Sequence, residues 1–105
     1  MLLRFLCCIA LTVLLCRAPL QAENWPGWRG PRGDGSSADA HVPIEWNGET
    51  GENIAWRVEL PGKGHSSPIV WNDRIILTAC LPDSGERVLL SLDAGTGKTV
   101  WSQTV

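Results

Sequence analysis

The strongest constraint on this chain is an alternation of apolar and polar residues that sets in after Gly51 and persists to Val105. Residues 53–60, NIAWRVEL, place Ile54, Trp56, Val58 and Leu60 at every second position. The run PGKGHSSP interrupts, and Ile69, Val70 and Trp71 follow. Asn72-Asp73 is then a two-residue link of the kind that closes hairpins. Arg74–Cys80, RIILTAC, sets Ile75, Leu77 and Ala79 on one face, and Arg87–Asp93, RVLLSLD, does the same with Val88, Leu90 and Leu92. Residues 99–105, TVWSQTV, are again strand-like. A period of two belongs to a strand with one better-buried face. After residue 22 no segment keeps helical spacing over ten or more residues. The pattern predicts one isolated strand over 53–60 and then four consecutive antiparallel strands. That is an all-β chain: a sandwich, a barrel or a propeller.

The N-terminus follows other rules. Arg4 precedes an apolar run from Phe5 to Leu15, which Arg17, Ala18 and Pro19 break. A basic start, an apolar core of about 7–15 residues and a small residue at the cut describe a secretory signal peptide. Residues 1–22 are therefore expected to leave by cleavage between Ala22 and Glu23, placing the mature protein outside the cytoplasm, in the periplasm or secreted. A spanning helix needs about 20 apolar residues, more than this run supplies, so no stable membrane anchor is expected once the signal is cut. Cys16 is a poor lipid attachment point, because Leu15 stands where a small residue is expected.

Cleavage removes Cys7, Cys8 and Cys16 and leaves Cys80 alone, without a disulfide partner and far short of four zinc ligands. Cys80 is expected to act as a small apolar residue at a strand end. Losing Arg4 and Arg17 from nine Lys/Arg leaves seven against eleven Asp/Glu, a net charge of −4. An acidic chain is a poor match for nucleic acid or an anionic membrane.

Residues 23–51 form an irregular lead-in rich in Gly, Pro and Ser, which punctuate loops. Trp25, Trp28 and Trp46 are costly to leave in water, so this segment is expected to lie against a folded surface. Arg32-Gly33-Asp34 spells a cell-adhesion tripeptide, but three letters recur by chance.

The stretch SLDAGTGKTVW, residues 91–101, resembles the end of a phosphate-binding loop at first sight. That loop needs Gly, four residues, then Gly-Lys-Ser/Thr, and Leu92 occupies the position of the first glycine. It also needs a helix N-terminus aimed at the phosphates, whereas TVWSQTV is built of β-formers. Nucleotide binding is excluded on both counts. As a turn the stretch makes sense: Asp93 caps it, Gly95 and Gly97 accept positive φ, and Thr96 bonds locally.

The chain also repeats itself. Thr50–Gly51 leads to Trp56 and Thr96–Gly97 leads to Trp101, and the two tryptophans lie 45 positions apart. That is close to the ~40–45 residues of a four-stranded propeller blade. The stretch ending in Trp101 resembles the signature Ala-x-Asp-x-x-Thr-Gly-x-x-x-Trp of the pyrroloquinoline-quinone (PQQ) type, quinoprotein-like β-propellers. Asp93, Thr96, Gly97 and Trp101 match it, and Ser91 replaces the alanine. SSPIVWNDRIILTA is similar to the first two strands of such a blade, and WPGWRGPRGDG to the lead-in of exported members. The resemblance implies a β-propeller of four-stranded antiparallel blades, of which residues 52–105 are the start. One blade spans 67–105, and residues 53–60, carrying Trp56, form an outer strand that closes the ring. It implies that Trp101 stacks between blades and that the turn residues tie the blade edge. It also implies that these 105 residues are the N-terminal part of a longer protein.

Two functions accompany the resemblance. One is a non-catalytic exported scaffold that binds other envelope proteins or a small ligand. The alternative is a PQQ-dependent dehydrogenase of alcohols or sugars, requiring the quinone, calcium and a catalytic carboxylate. Catalytic, cofactor and metal ligands are not assignable from the residues. Lys63, His65, Ser66 and Ser67 precede the innermost strand and form the best-placed polar group, yet His65 has no second ligand at metal spacing. His41, Glu59 and Asp73 stand alone, and one His beside two serines does not define a catalytic triad. The scaffold is the favoured expectation.

Overall fold

A computed structural model describes residues 22–105, so all but the last residue of the expected signal peptide lies outside the described residues. Four strands make one antiparallel sheet in simple meander order: β1 (Ile69–Trp71), β2 (Arg74–Cys80), β3 (Arg87–Asp93) and β4 (Thr99–Thr104). The fold is all-β, with the one open four-stranded sheet that a single propeller blade would have.

Local chemistry sets each connection. Trp71 pairs with Arg74 across Asn72-Asp73, and Asn72 takes φ +52°, a left-handed conformation that Asn tolerates better than other side chains. Between β2 and β3 the Leu81 amide donates to the Glu86 carbonyl and the Gly85 amide to the Leu81 carbonyl, both at 2.8 Å. Between β3 and β4 the register shifts at Ser91/Leu92: Trp101 faces Ser91 while Thr99 faces Leu92, so Val100 is the extra residue of a bulge.

The core sits on one face of the central pair. Leu77 faces Leu90, Ala79 faces Val88, and Ile75 faces Leu92. These residues are buried except for half-buried Ile75, and Leu81 packs beside them. Leu90 is 1% exposed, and burying a leucine fully contributes about 2–3 kcal/mol. β2 and β3 are the inner strands and β3 is the best buried, whereas every residue of the edge strand β4 is exposed.

The opposite edge is covered by the chain itself. Trp25 joins β1 through a two-way exchange with Val70, both hydrogen bonds 2.8 Å. Lys63 exchanges bonds of 3.0 and 2.7 Å with Cys80 at the far end of β2. Between that bridge and β1, residues 64–68 lie opposite only residues 77–79. The ladder is interrupted there, and the Ser66 hydroxyl accepts the Thr78 amide at 3.1 Å.

Among the described residues, 53–60 form no ladder with any strand, and Trp56 turns inward, as described below. Two expectations need correction. Trp28 and Trp46 are 73% and 69% exposed, so of the lead-in tryptophans only Trp25 lies on the sheet; Trp28 instead stacks with the neighbouring Arg29 guanidinium, 5.1 Å from its ring centroid. Cys80 does end a strand, but it is exposed. Leu77 and Ala79 point into the core, so strand parity turns Cys80 outward.

Candidate functional site

The residues of the signature meet at the β3–β4 turn. Asp93 closes the strand and its Oδ1 accepts two bonds, from the Thr96 amide at 2.8 Å and the Thr96 hydroxyl at 2.9 Å. The Gly97 amide donates to the Asp93 carbonyl at 2.8 Å, and the Asp93 amide to the Lys98 carbonyl at 2.9 Å. The Thr96 hydroxyl hydrogen bond, joined by backbone donors, holds the Asp93 carboxyl below its ordinary range. Arg74 lies 3.9 Å from the other Asp93 oxygen and 2.7 Å from Asp73. An ionised carboxylate committed to its own turn ties the chain; it is not poised as a general base.

Trp56 is what this turn holds. Its indole Nε1 donates to the Ala94 carbonyl at 2.9 Å, and its ring lies against Gly97. Gly97 has φ +72°, and a Cβ there would sit 2.8 Å from Trp56 Cδ2 and Cζ3. Glycine is thus required twice, for the left-handed backbone and for the close approach of the indole. Asp93, Thr96, Gly97 and Trp56 are brought into one assembly. Trp101 is not part of it: it projects from β4 beside Ser91 and is 42% exposed. Ser91 is fully buried, and among the described residues its hydroxyl has no hydrogen-bond partner.

The loop before β1 is less organised. Lys63 and Ser66 line a shallow groove of about 410 Å³ between the loop and β2, together with Leu60, Gly64, Leu77 and Thr78. His65 and Ser67 are exposed and outside that lining, so the four polar residues do not converge. His41 and Glu59 are exposed, and Asp73 is paired with Arg74. Among the described residues no group of three or more His, Cys, Asp or Glu is placed to hold a metal ion.

The adhesion tripeptide is engaged internally. Arg32 forks onto both Glu23 oxygens at 2.6 and 2.8 Å and also reaches the Ser36 carbonyl at 2.9 Å. Asp34 accepts the Ser36 amide at 2.9 Å and its hydroxyl at 2.7 Å. Glu23 further accepts the Ala38 amide at 2.9 Å and the Ser37 hydroxyl at 3.2 Å. With Arg32 as the main cause, its carboxyl is lowered to about 2. Sequence reading missed this knot, since nothing in the spacing of Glu23, Arg32 and Ser37 marks them as partners.

A family model described as outer membrane protein assembly factor BamB, a PQQ-repeat family, matches residues 37–105. No curated protein and no solved structure matches the chain.

Proposed function

Because the chain belongs to the PQQ-repeat family described as outer membrane protein assembly factor BamB, we propose that it is a blade-forming part of an exported β-propeller serving as a non-catalytic scaffold. One observation carries the reading: the polar groups of the signature turn are consumed in holding Trp56 and closing β3 onto β4. Its groups are committed to rigidity. The family description, that of an assembly factor, points the same way, and the signal-peptide pattern of residues 1–22 supports an extracytoplasmic location.

In this reading the exposed Val100 and Trp101 of β4 are covered by a neighbouring blade, since an isolated four-stranded sheet cannot bury both faces. What the propeller offers its partners, whether envelope proteins or a small ligand, is then a shaped surface on a rigid ring. The competing reading, a PQQ-dependent dehydrogenase, is separated by one assay. The full-length protein is incubated with PQQ and calcium and tested for dye reduction with a panel of alcohols and sugars. The scaffold reading expects no turnover and no saturable quenching of tryptophan fluorescence by PQQ; dye reduction with any substrate overturns it.

A further inference from the structure

The knot at the start of the lead-in has a feature that export would change. The backbone nitrogen of Glu23 lies 3.3 Å from both carboxylate oxygens of Asp39. In an uncut chain this nitrogen is a neutral amide sharing one hydrogen between two acceptors, a weak arrangement. Asp39 is half-buried, and the Glu23 side chain is only 21% exposed, held by Arg32, Ser37 and Ala38. Ala22, on the other side of the bond, is exposed.

We propose that the Ala22–Glu23 bond is a processing site whose cleavage completes this knot: the new α-ammonium of Glu23 becomes the ionic partner of Asp39. The reaction is a hydrolysis by a signal peptidase. One water is consumed; its oxygen joins the Ala22 carbonyl carbon to give a carboxylate, and the Glu23 nitrogen leaves as an amine that is protonated. The neutral donor facing Asp39 thereby becomes a cation with three hydrogens, and charge-assisted bonds are shorter and about twice as strong as neutral ones. The mature N-terminus then carries two ion pairs on one residue, its ammonium with Asp39 and its carboxylate with Arg32. Processing converts the weak amide contact with Asp39 into an ion pair, so the lead-in is held more tightly after export than in the precursor.

This inference rests on the export reading but not on the scaffold role, and its tests separate the two. Mature protein recovered from the cell envelope is subjected to N-terminal sequencing; Glu23 is the expected first residue, and any other start overturns the proposal while leaving the scaffold reading intact. Full-length protein beginning at Glu23 is then compared with protein beginning at Ala22, following tryptic cleavage after Arg32. The Ala22 form is expected to be cut about 2–5-fold faster, the range that a partly exposed ion pair provides. Asp39→Asn is expected to remove that difference while both forms keep their melting temperature within a few degrees. Equal rates for the two wild-type forms, or a difference that persists in the Asp39→Asn variant, overturns the pairing.

Discussion

Replacing Gly97 by alanine tests the centre of the blade. The backbone at Gly97 is left-handed, φ +72°, and an L-residue there costs about 1–2 kcal/mol. The added methyl would also lie 2.8 Å from two Trp56 ring carbons, well inside van der Waals contact. The indole must withdraw, and its 2.9 Å bond to the Ala94 carbonyl is then lost. A hydrogen bond of this type contributes about 0.5–1.5 kcal/mol net, so Gly97→Ala should cost about 2–3 kcal/mol altogether. Urea denaturation followed by tryptophan fluorescence gives the number. The same substitution in a Trp56→Ala background should cost only the backbone part, about 1–2 kcal/mol, because no ring remains to displace. Two results would refute the reasoning: a Gly97→Ala cost below about 0.5 kcal/mol, the range of a neutral surface substitution, or an identical cost in both backgrounds. Either would mean that Trp56 does not rest on the turn.

Ser91→Ala should stabilise the protein by about 1 kcal/mol, since its buried hydroxyl lacks a partner and an unsatisfied buried polar group costs about 1–3 kcal/mol; a lowered melting temperature would show that the hydroxyl is bonded after all. Trp101→Ala in the full-length protein should cost ~3–5 kcal/mol, the value for a buried tryptophan, if a neighbouring blade covers its 42% exposed side chain; an unchanged melting temperature argues against that cover. The Glu23 knot should open on the acid side. Its carboxyl is depressed from 4.5 to about 2, so the contribution is present above pH 4.5 and lost as pH falls through about 2. Trypsin is inactive there, so the probe is pepsin cleavage within residues 23–39; Glu23→Gln should show no such transition.

Much of this arrangement is legible in the letters, and the reason is local. β2 and β3 carry their own period of two, and each connection its own turn chemistry, so neighbours in sequence become neighbours in the sheet. Asp93, Thr96 and Gly97 lie within five consecutive residues of one turn, within reach of local rules. Trp56 does not: it meets the turn from 38 residues away, and its alternation with Ile54 and Val58 imitates a strand. Periodicity alone leaves open whether a partner backbone stands alongside. The Glu23 knot is harder still, because Arg32, Ser37 and Asp39 converge through an irregular loop whose path has no period to read. The exposed Trp28 and Trp46 make the converse point: hydrophobicity predicts burial on average, and the geometry of one short loop overrules it.

The two margins of the sheet are unlike in a way that bears on self-association. The β1 margin is occupied by Trp25, and Pro26 immediately after it has no amide hydrogen to offer. The β4 margin carries six exposed residues and no such guard. Head-to-tail stacking of sheets, β4 of one molecule onto β1 of the next, would need the margin that Trp25 occupies at Val70. Among the described residues the sheet thus presents one edge partly covered by its own chain and one edge open to pairing.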